Sequence, residues 1–352
     1  MTEPAPGPPP VDSDAEFTAI DRECMARAIA AAARVRCITS PNPWVGCVMR
    51  APSGELFEGA TSEPGEGHAE VVALSSARDA ARGATAYVTL EPCNHDGRTG
   101  PCTEALIDAG VERVVIAMVD PDRHVSGTGI ARLRSAGLTV DVGLYRDRVA
   151  GQLAAYVKHR TTGRPWVVLK LAASLDGGTA APDGSSQWIT SQPARADGHR
   201  LRAESDAIVI GSGTVLRDDP SLTVREYRPP VMPSSGSVDP LRIVLGSAPA
   251  DARVQPCREM RGDLGDVLDE LGSEGVLQLL VEGGAAVATK FHQAGLIDRY
   301  VIYLAPALFG GENARGLFTG DGAATIDDLW RGRLVGVDRV GDDVRIQMDP
   351  VS

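Results

Sequence analysis

Apolar runs and helical stretches alternate along the chain. Asp14 to Arg34 is alanine-rich and helical in propensity, with Asp12, Ser13 and Asp14 available as caps. The run Trp44–Met49 predicts a strand, followed by a turn at Ser53-Gly54. His68 to Ala81 has helical spacing, with Val71, Val72 and Leu74 at apolar positions. The β-rich run Ala84–Leu90 leads into a polar loop, Glu91–Pro101, and a short helix, Cys102–Ala109, ended by Gly110. Strands at Val111–Val119 and Leu138–Val142 flank a helix near Ile130–Ala136, and a helical stretch runs from Tyr145 to Arg160.

The pattern then restarts. Trp166–Leu171, Ala207–Ile210, Leu241–Leu245, Val276–Val281 and Tyr300–Leu304 read as strands; Ala194–Ala203, Leu264–Leu271 and Ala285–Ala294 read as helices. Glu226–Asp239, rich in Pro and Ser, predicts an exposed loop. Strands alternating with helices in each half predict two α/β domains with mostly parallel sheets. The expected organisation is a disordered tail over 1–14, one domain over 15–150 and a second over 151–352.

Composition fits this picture. At 352 residues, 43% hydrophobic and 23% charged, the chain suits two ordinary globular domains. No apolar run approaches the roughly 20 residues of a membrane span. The proline-rich, acidic start lacks the basic and apolar regions of a signal peptide, so a cytoplasmic protein is expected. The net charge of −12 argues against nucleic-acid binding through a broad basic face, and it means an anionic substrate needs specifically placed Lys or Arg. With no secretion signal, the six cysteines favour metal binding or burial over disulfides.

Candidate chemistry concentrates in His68-Ala69-Glu70, Pro92-Cys93 and Cys102. One imidazole and two thiolates suit Zn²⁺ and leave its fourth position to water, whose pKa the metal lowers towards neutrality. Glu70, two residues past His68, can shuttle protons without ligating the metal. His68 and Cys102 each sit at a predicted helix start, where the helix dipole favours anionic ligands. The His-x-Glu…Pro-Cys…Cys pattern is the signature of zinc nucleobase deaminases. A closed structural zinc site, with His95 as fourth ligand, is the alternative. Nucleic-acid deaminases have two residues between the cysteines; here Asn94 to Pro101 intervene, bringing His95, Arg98 and Thr99, which suit a phosphate or a sugar. A solvated turn is the plainer reading of that insertion.

These segments, with Pro41-Asn42-Pro43-x-Val45-Gly46-Cys47-Val48 and Thr89-Leu90-Glu91-Pro92-Cys93-Asn94-His95-x-Gly97-Arg98-Thr99-x-Pro101-Cys102, closely resemble the bifunctional riboflavin-biosynthesis deaminase–reductases. The resemblance implies a cytidine-deaminase-like three-layer α/β domain in which Asn42 orients a pyrimidine and His95 and Arg98 bind its ribose phosphate. Asp122 departs from the Asp-Pro-Asn usual in that family.

In the second half, Glu282-Gly283-Gly284-Ala285 and Gly211-Ser212-Gly213-Thr214 each follow a predicted strand. Glycines there let backbone N–H groups approach a phosphate, although a tight strand–helix turn needs them equally. Two such turns in one α/β domain favour a dinucleotide site. The resemblance extends through Lys170-Leu171-Ala172-x-Ser174-Leu175-Asp176-Gly177, Ser186-Gln187-Trp188-Ile189-Thr190 and Thr214 to Arg225. It implies a reductase domain similar in fold to dihydrofolate reductase and using NADPH. Ala172, Trp188, Thr214, Asp218, Ser247 and the run Gly284, Ala285, Ala286, Val287, Ala288, Thr289 and Lys290 would bind the nucleotide. Ser186, Arg202, Leu222, Arg225 and Glu282 would hold the substrate. No residue stands out as acid or base there; Asp218 and Glu282 are the candidates. Gly178 stands where the family commonly has Lys or Arg.

The implied activities are zinc-dependent hydrolytic deamination of a phosphorylated ribosylaminopyrimidine and NADPH-dependent reduction of its ribosyl group to ribityl. The family likeness implies a homodimer or higher homo-oligomer. The rivals are a nucleic-acid or nucleoside deaminase with an accessory nucleotide-binding domain, disfavoured by charge and cysteine spacing, and a non-enzymatic zinc-stabilised binding protein.

Overall fold

The computed structural model describes residues 17–95, 100–122, 125–311 and 313–351. The expected disordered tail, 1–14, lies outside them, as do Arg98 and Thr99. Among the described residues no helix is long and apolar enough to cross a membrane. The chain divides into two compact units. One runs to Thr162 and also takes in Pro230–Ser235; the other comprises the remaining chain from Gly163.

In the first unit, α1 (Ala19–Arg34) starts later than its composition suggests. It is capped by Thr18, whose hydroxyl accepts from Asp21 N while the Asp21 carboxylate accepts from Thr18 N. The sheet is built from β1 (Gly46–Arg50), β2 (Leu56–Ala60), β3 (Thr85–Leu90), β4 (Arg113–Met118) and β5 (Thr139–Val142), in the order β2-β1-β3-β4-β5. β1 runs antiparallel to both its neighbours, whereas β3, β4 and β5 are parallel. The sheet is therefore mixed rather than mostly parallel. β2 is so short and half-buried that its pattern gave no strand signal.

Around this sheet lie α2 (Ala69–Ala77), α3 (Cys102–Asp108) and α4 (Thr128–Ser135). α2 presses against β2 so closely that a Cβ on Gly59 would fall 2.2 Å from the Ala69 carbonyl oxygen. That contact fixes the start of α2, and hence His68 and Glu70, against the sheet. The helical stretch from Tyr145 breaks at Leu153 into α5 (Arg146–Gln152) and α6 (Ala154–Thr162). The division between units falls after α6 rather than near residue 150, because α6 is tied back: the Tyr156 hydroxyl donates to Asp120 at 3.2 Å.

The second unit contains β6 (Trp166–Ser174), α7 (Gln192–Ala203), β7 (Ala207–Gly211), α8 (Ser212–Asp218), β8 (Leu241–Leu245), β9 (Arg258–Met260) and α9 (Leu264–Ser273). It continues with β10 (Gln278–Val281), α10 (Ala285–Gln293), β11 (Arg299–Ala305), β12 (Gly332–Val340) and β13 (Asp343–Pro350). The eight strands are ordered β12-β13-β11-β6-β10-β7-β8-β9. From β11 to β9 all neighbours are parallel, while β13 joins β11 and β12 antiparallel. Two cores cover the two faces of this sheet. Val167, Leu169, Val209, Leu279 and Val281 enter one; Val168, Ile208, Ile210 and Leu280 enter the other. These adjacent residues alternate because successive strand side chains point to opposite faces. Parallel strands buried on both faces read as continuous apolar runs, which is why they stand out in the sequence. The β12–β13 hairpin does not, because it is largely exposed and mixed in polarity.

Candidate active sites

Three elements converge in the first unit. His68 caps the N-terminus of α2, Cys93 follows β3, and Cys102 is the first residue of α3. His68 Nδ1 lies 3.5 Å from Cys93 Sγ and 3.3 Å from Cys102 Sγ. All three ligand atoms fall within 4.8 Å of one another. An imidazole and two sulfurs that close together suit zinc. Among the described residues no fourth His, Cys or carboxylate joins them; His95 is exposed, at the mouth of the same cleft, and does not complete a closed site.

The electrostatics match. The Cys93 sulfur is pulled towards thiolate by its hydrogen bond with the Cys102 side chain and by His68. Cys102 is pushed up by the same contact and by burial. Glu70, only 3% exposed, stands beside the cluster. Burial pushes its carboxyl up to about 7, so it can both take and return a proton near neutral pH.

The loop carrying Cys93 is fastened by Glu91, a residue for which the sequence offered no role. Its buried carboxylate accepts from the backbone N–H groups of Asp120, Gly127, Gly129 and Ile130 at 2.9–3.2 Å. The approach is so close that a Cβ on Gly129 would lie 2.1 Å from the Pro92 carbonyl oxygen. Asn42 and Thr61 line one side of the cleft, Asp120, Asp122, Tyr156 and Arg160 another. Asp120 is pushed up to about 6 by burial. Arg160 lies 3.9 Å from Asp122, so the carboxylate that departs from the family pattern faces a guanidinium. These four residues come from the β4–α4 connection and α6, far from the cysteine motif in sequence, and only the fold assembles them.

The second unit has its own cleft, at the ends of β6, β7 and β10. Lys170, Ala172, Ser186, Asp218, Glu282 and Gly284 line it, together with Ala285 and Ala286. Thr214 accepts a hydrogen bond from Gly284 N at 3.2 Å, tying the two glycine turns together. Of the run from Gly284 to Lys290, only the first three residues line the cleft. Helical rotation turns Ala288 and Thr289 inward, and Lys290 is exposed on another side. Trp188 is 68% exposed, with Arg195 over its ring. Ser247, exposed beyond β8, is not among the cleft residues.

Arg202 and Glu282 engage each other. Arg202 Nε and Nη2 donate to the two Glu282 oxygens at 2.7 and 2.9 Å, and Nη1 donates to the Thr223 carbonyl at 3.1 Å. Burial would raise the Glu282 carboxyl, but the guanidinium outweighs it and holds it at about 2. A carboxylate held that low does not donate protons near neutral pH. Leu222 is buried in one core face with φ of 54°, so it can reach a ligand only through its backbone. Arg225 is exposed, and its guanidinium bonds the Ser221 hydroxyl. At Gly178 a Cβ would fall 2.3 Å from the Phe309 ring, so a basic side chain there would need that ring to move.

A three-ligand metal cluster beside a buried glutamate and, in a separate α/β unit, paired glycine turns over an open cleft define a zinc-dependent deaminase joined to a nucleotide-dependent reductase. The model of the cytidine and deoxycytidylate deaminase zinc-binding region matches residues 18–118, and that of the RibD C-terminal domain matches residues 165–346. The chain is 41% identical to the riboflavin biosynthesis protein RibD of Escherichia coli, over 93% of this chain and 99% of that protein. It is 41% identical to that of Mycobacterium tuberculosis, over 93% and 96%. Among solved structures, Acinetobacter baumannii RibD superposes with a TM-score of 0.87 at 37% identity, over 94% of this chain and 99% of that one. The Thermotoga maritima diaminohydroxyphosphoribosylaminopyrimidine deaminase/5-amino-6-(5-phosphoribosylamino)uracil reductase superposes at 0.83 and 30% identity, over the same shares.

The chain belongs to the RibD family. It is a bifunctional deaminase and reductase of riboflavin biosynthesis, using zinc in the first unit and NADPH in the second.

Proposed function

We propose that the first unit hydrolyses the exocyclic amine of 2,5-diamino-6-ribosylamino-4(3H)-pyrimidinone 5′-phosphate, and that the second reduces C1′ of the opened ribosyl group of 5-amino-6-(5-phosphoribosylamino)uracil. The observation that carries the first step is the buried Glu70 beside His68, Cys93 and Cys102. Zinc held by those three residues supplies Lewis acidity that makes water nucleophilic near neutral pH. Glu70 takes one proton of the attacking water and passes it to the ring nitrogen. It then takes the second proton, from the newly added hydroxyl, and passes it to the exocyclic amino group, so that the C–N bond breaks, ammonia leaves and the ring carbon becomes a carbonyl. Asn42, at the cleft wall, orients the pyrimidine, and His95 with Arg98 meets the phosphate.

In the second unit, NADPH supplies the hydride, and the residues align donor and acceptor carbons. Ala172, Asp218 and the start of α10, which line the cleft, hold the nucleotide, together with Thr214, which is bonded to Gly284 N. Arg202 acts there as the partner that keeps Glu282 anionic, and Ser186 and Arg225 meet the substrate. A reducing cytoplasm fits cysteines that form no disulfide, two of them the zinc ligands Cys93 and Cys102. A homodimer fits the exposed apolar residues Leu334, Val335 and Val337 on edge strand β12.

Two assays on the purified, zinc-loaded protein test the reading. One follows ammonia release from the diaminopyrimidinone without cofactor; the other follows NADPH absorbance with the deaminated compound. Turnover in both is expected. If neither compound is consumed, the substrate assignment fails.

A further inference from the structure

Arg217 is a cation that the reductase fold leaves free. It lies on α8 and is exposed at the wall of the cleft that the reading above gives to the dinucleotide. Its Nη2 sits 3.4 Å from the position a Cβ on Gly284 would take and 3.8 Å from that of a Cβ on Gly213. One guanidinium thus lies across both glycine turns. Arg202, in the same cleft region, is neutralised by Glu282, whereas Arg217 forms no ion pair or hydrogen bond with the described residues.

We propose that Arg217 binds the diphosphate of the nicotinamide dinucleotide. The proposal rests on the cleft being the cofactor site. The chain carries a net charge of −12, so a dianionic group entering the cleft needs a local cation. The glycines at 213 and 284 remove the side chains that would keep backbone and guanidinium away from the ligand. Ala285 and Ala286, whose N–H groups begin α10 with no preceding helical carbonyl to bond, line the same cleft. A planar fork of donors suits two phosphate oxygens better than a single ammonium would. Arg217 extends the set of nucleotide-binding residues by a charge that the Thr214 and Asp218 side chains do not supply.

Calorimetric titration of the zinc-loaded full chain with NADP⁺ and with NAD⁺ tests this. The proteins compared are wild type, Arg217→Met, Arg217→Lys and, as a control for lost surface charge, Arg339→Met. Arg217→Met is expected to weaken both dinucleotides by the same factor, about tenfold to a hundredfold, as for a charge-assisted hydrogen bond. Arg217→Lys should recover part of the loss, and Arg339→Met should bind as wild type does. Unfolding temperature should not change, since the side chain is exposed. A loss confined to NADP⁺ overturns the diphosphate assignment in favour of the 2′-phosphate. Unchanged affinity in Arg217→Met, with wild type binding normally, removes Arg217 from the site. Failure of wild type to bind either dinucleotide sinks the cofactor reading itself.

Discussion

Glu70 and Glu282 are carboxylates withdrawn from water in different units of one chain, yet they titrate at opposite ends of the range. No Arg or Lys among the described residues pairs with Glu70, and burial, reinforced by the neighbouring Cys93 sulfur, carries it up to about 7. Glu282 meets the same burial, but a bidentate Arg202 reverses the outcome and holds it at about 2. Burial therefore sets the size of the energy at stake, and the partner sets its sign. The first unit keeps a buried carboxyl whose raised value lies near neutral pH. The reductase keeps one fixed as a charge, which shapes its cleft without exchanging protons. The hydrolytic half must move protons with its own side chains, while the redox half receives its hydride from a cofactor.

The comparison can be broken most severely at Glu70. Glu70→Gln keeps the shape but not the proton transfer, and should lower kcat for deamination about 10²- to 10⁴-fold. NADPH oxidation with the deaminated substrate should stay at the wild-type rate. Loss of both activities would show that the units do not work as separate catalysts.

Next comes the clamp. Arg202→Met leaves Glu282 buried without its cation and should cost about 3–5 kcal/mol. Calorimetry should show the unfolding of the second unit moving down while that of the first stays. Acid should act in the same place. The folded value of Glu282 lies below its ordinary 4.5, so its stabilising contribution is fully present above that pH. It is lost as pH falls from there towards 2, about 3 kcal/mol in all. The stability difference between wild type and Glu282→Gln should therefore shrink across that interval. A difference independent of pH there would mean that Arg202 does not control the carboxyl.

The mildest test concerns Thr214. Thr214→Val removes the hydroxyl that accepts from Gly284 N and should weaken NADP⁺ binding by about 1 kcal/mol, a factor of about five. No change in a binding titration would mean that the two glycine turns hold their spacing without that bond.

The two sites were unequally legible in the sequence. His68, Glu70, Cys93 and Cys102 lie in short local motifs whose spacing reflects helix starts and a strand end, so sequence order carries their geometry. Asp120, Tyr156 and Arg160 reach the same cleft from a later loop and from α6, and nothing in the spacing announced that. Glu91 stood inside a recognised motif, but its role depends on four amides that come near only when the β4–α4 connection folds back. In the second unit the buried parallel strands were visible as apolar runs, and the exposed β12–β13 hairpin was not. Arg202 and Glu282, read as separate ligand contacts, turn out to be each other's partners, a relation that needs tertiary structure. Along the run from Gly284 to Lys290, a contiguous motif in sequence, helix rotation gives the cleft only Gly284, Ala285 and Ala286.

The carboxylate of Glu91 has a consequence for how the deaminase domain opens. Loops ordinarily exchange their amide hydrogens with solvent long before the sheet beside them does. Here the amides of Asp120, Gly127, Gly129 and Ile130 are locked onto a side chain that continues directly from β3. Releasing them would leave the buried Glu91 carboxylate without donors, a penalty larger than for an ordinary loop hydrogen bond. The walls of the catalytic cleft thus belong to the same cooperative unit as the strands, and deuterium should reach those amides only when the domain as a whole comes apart.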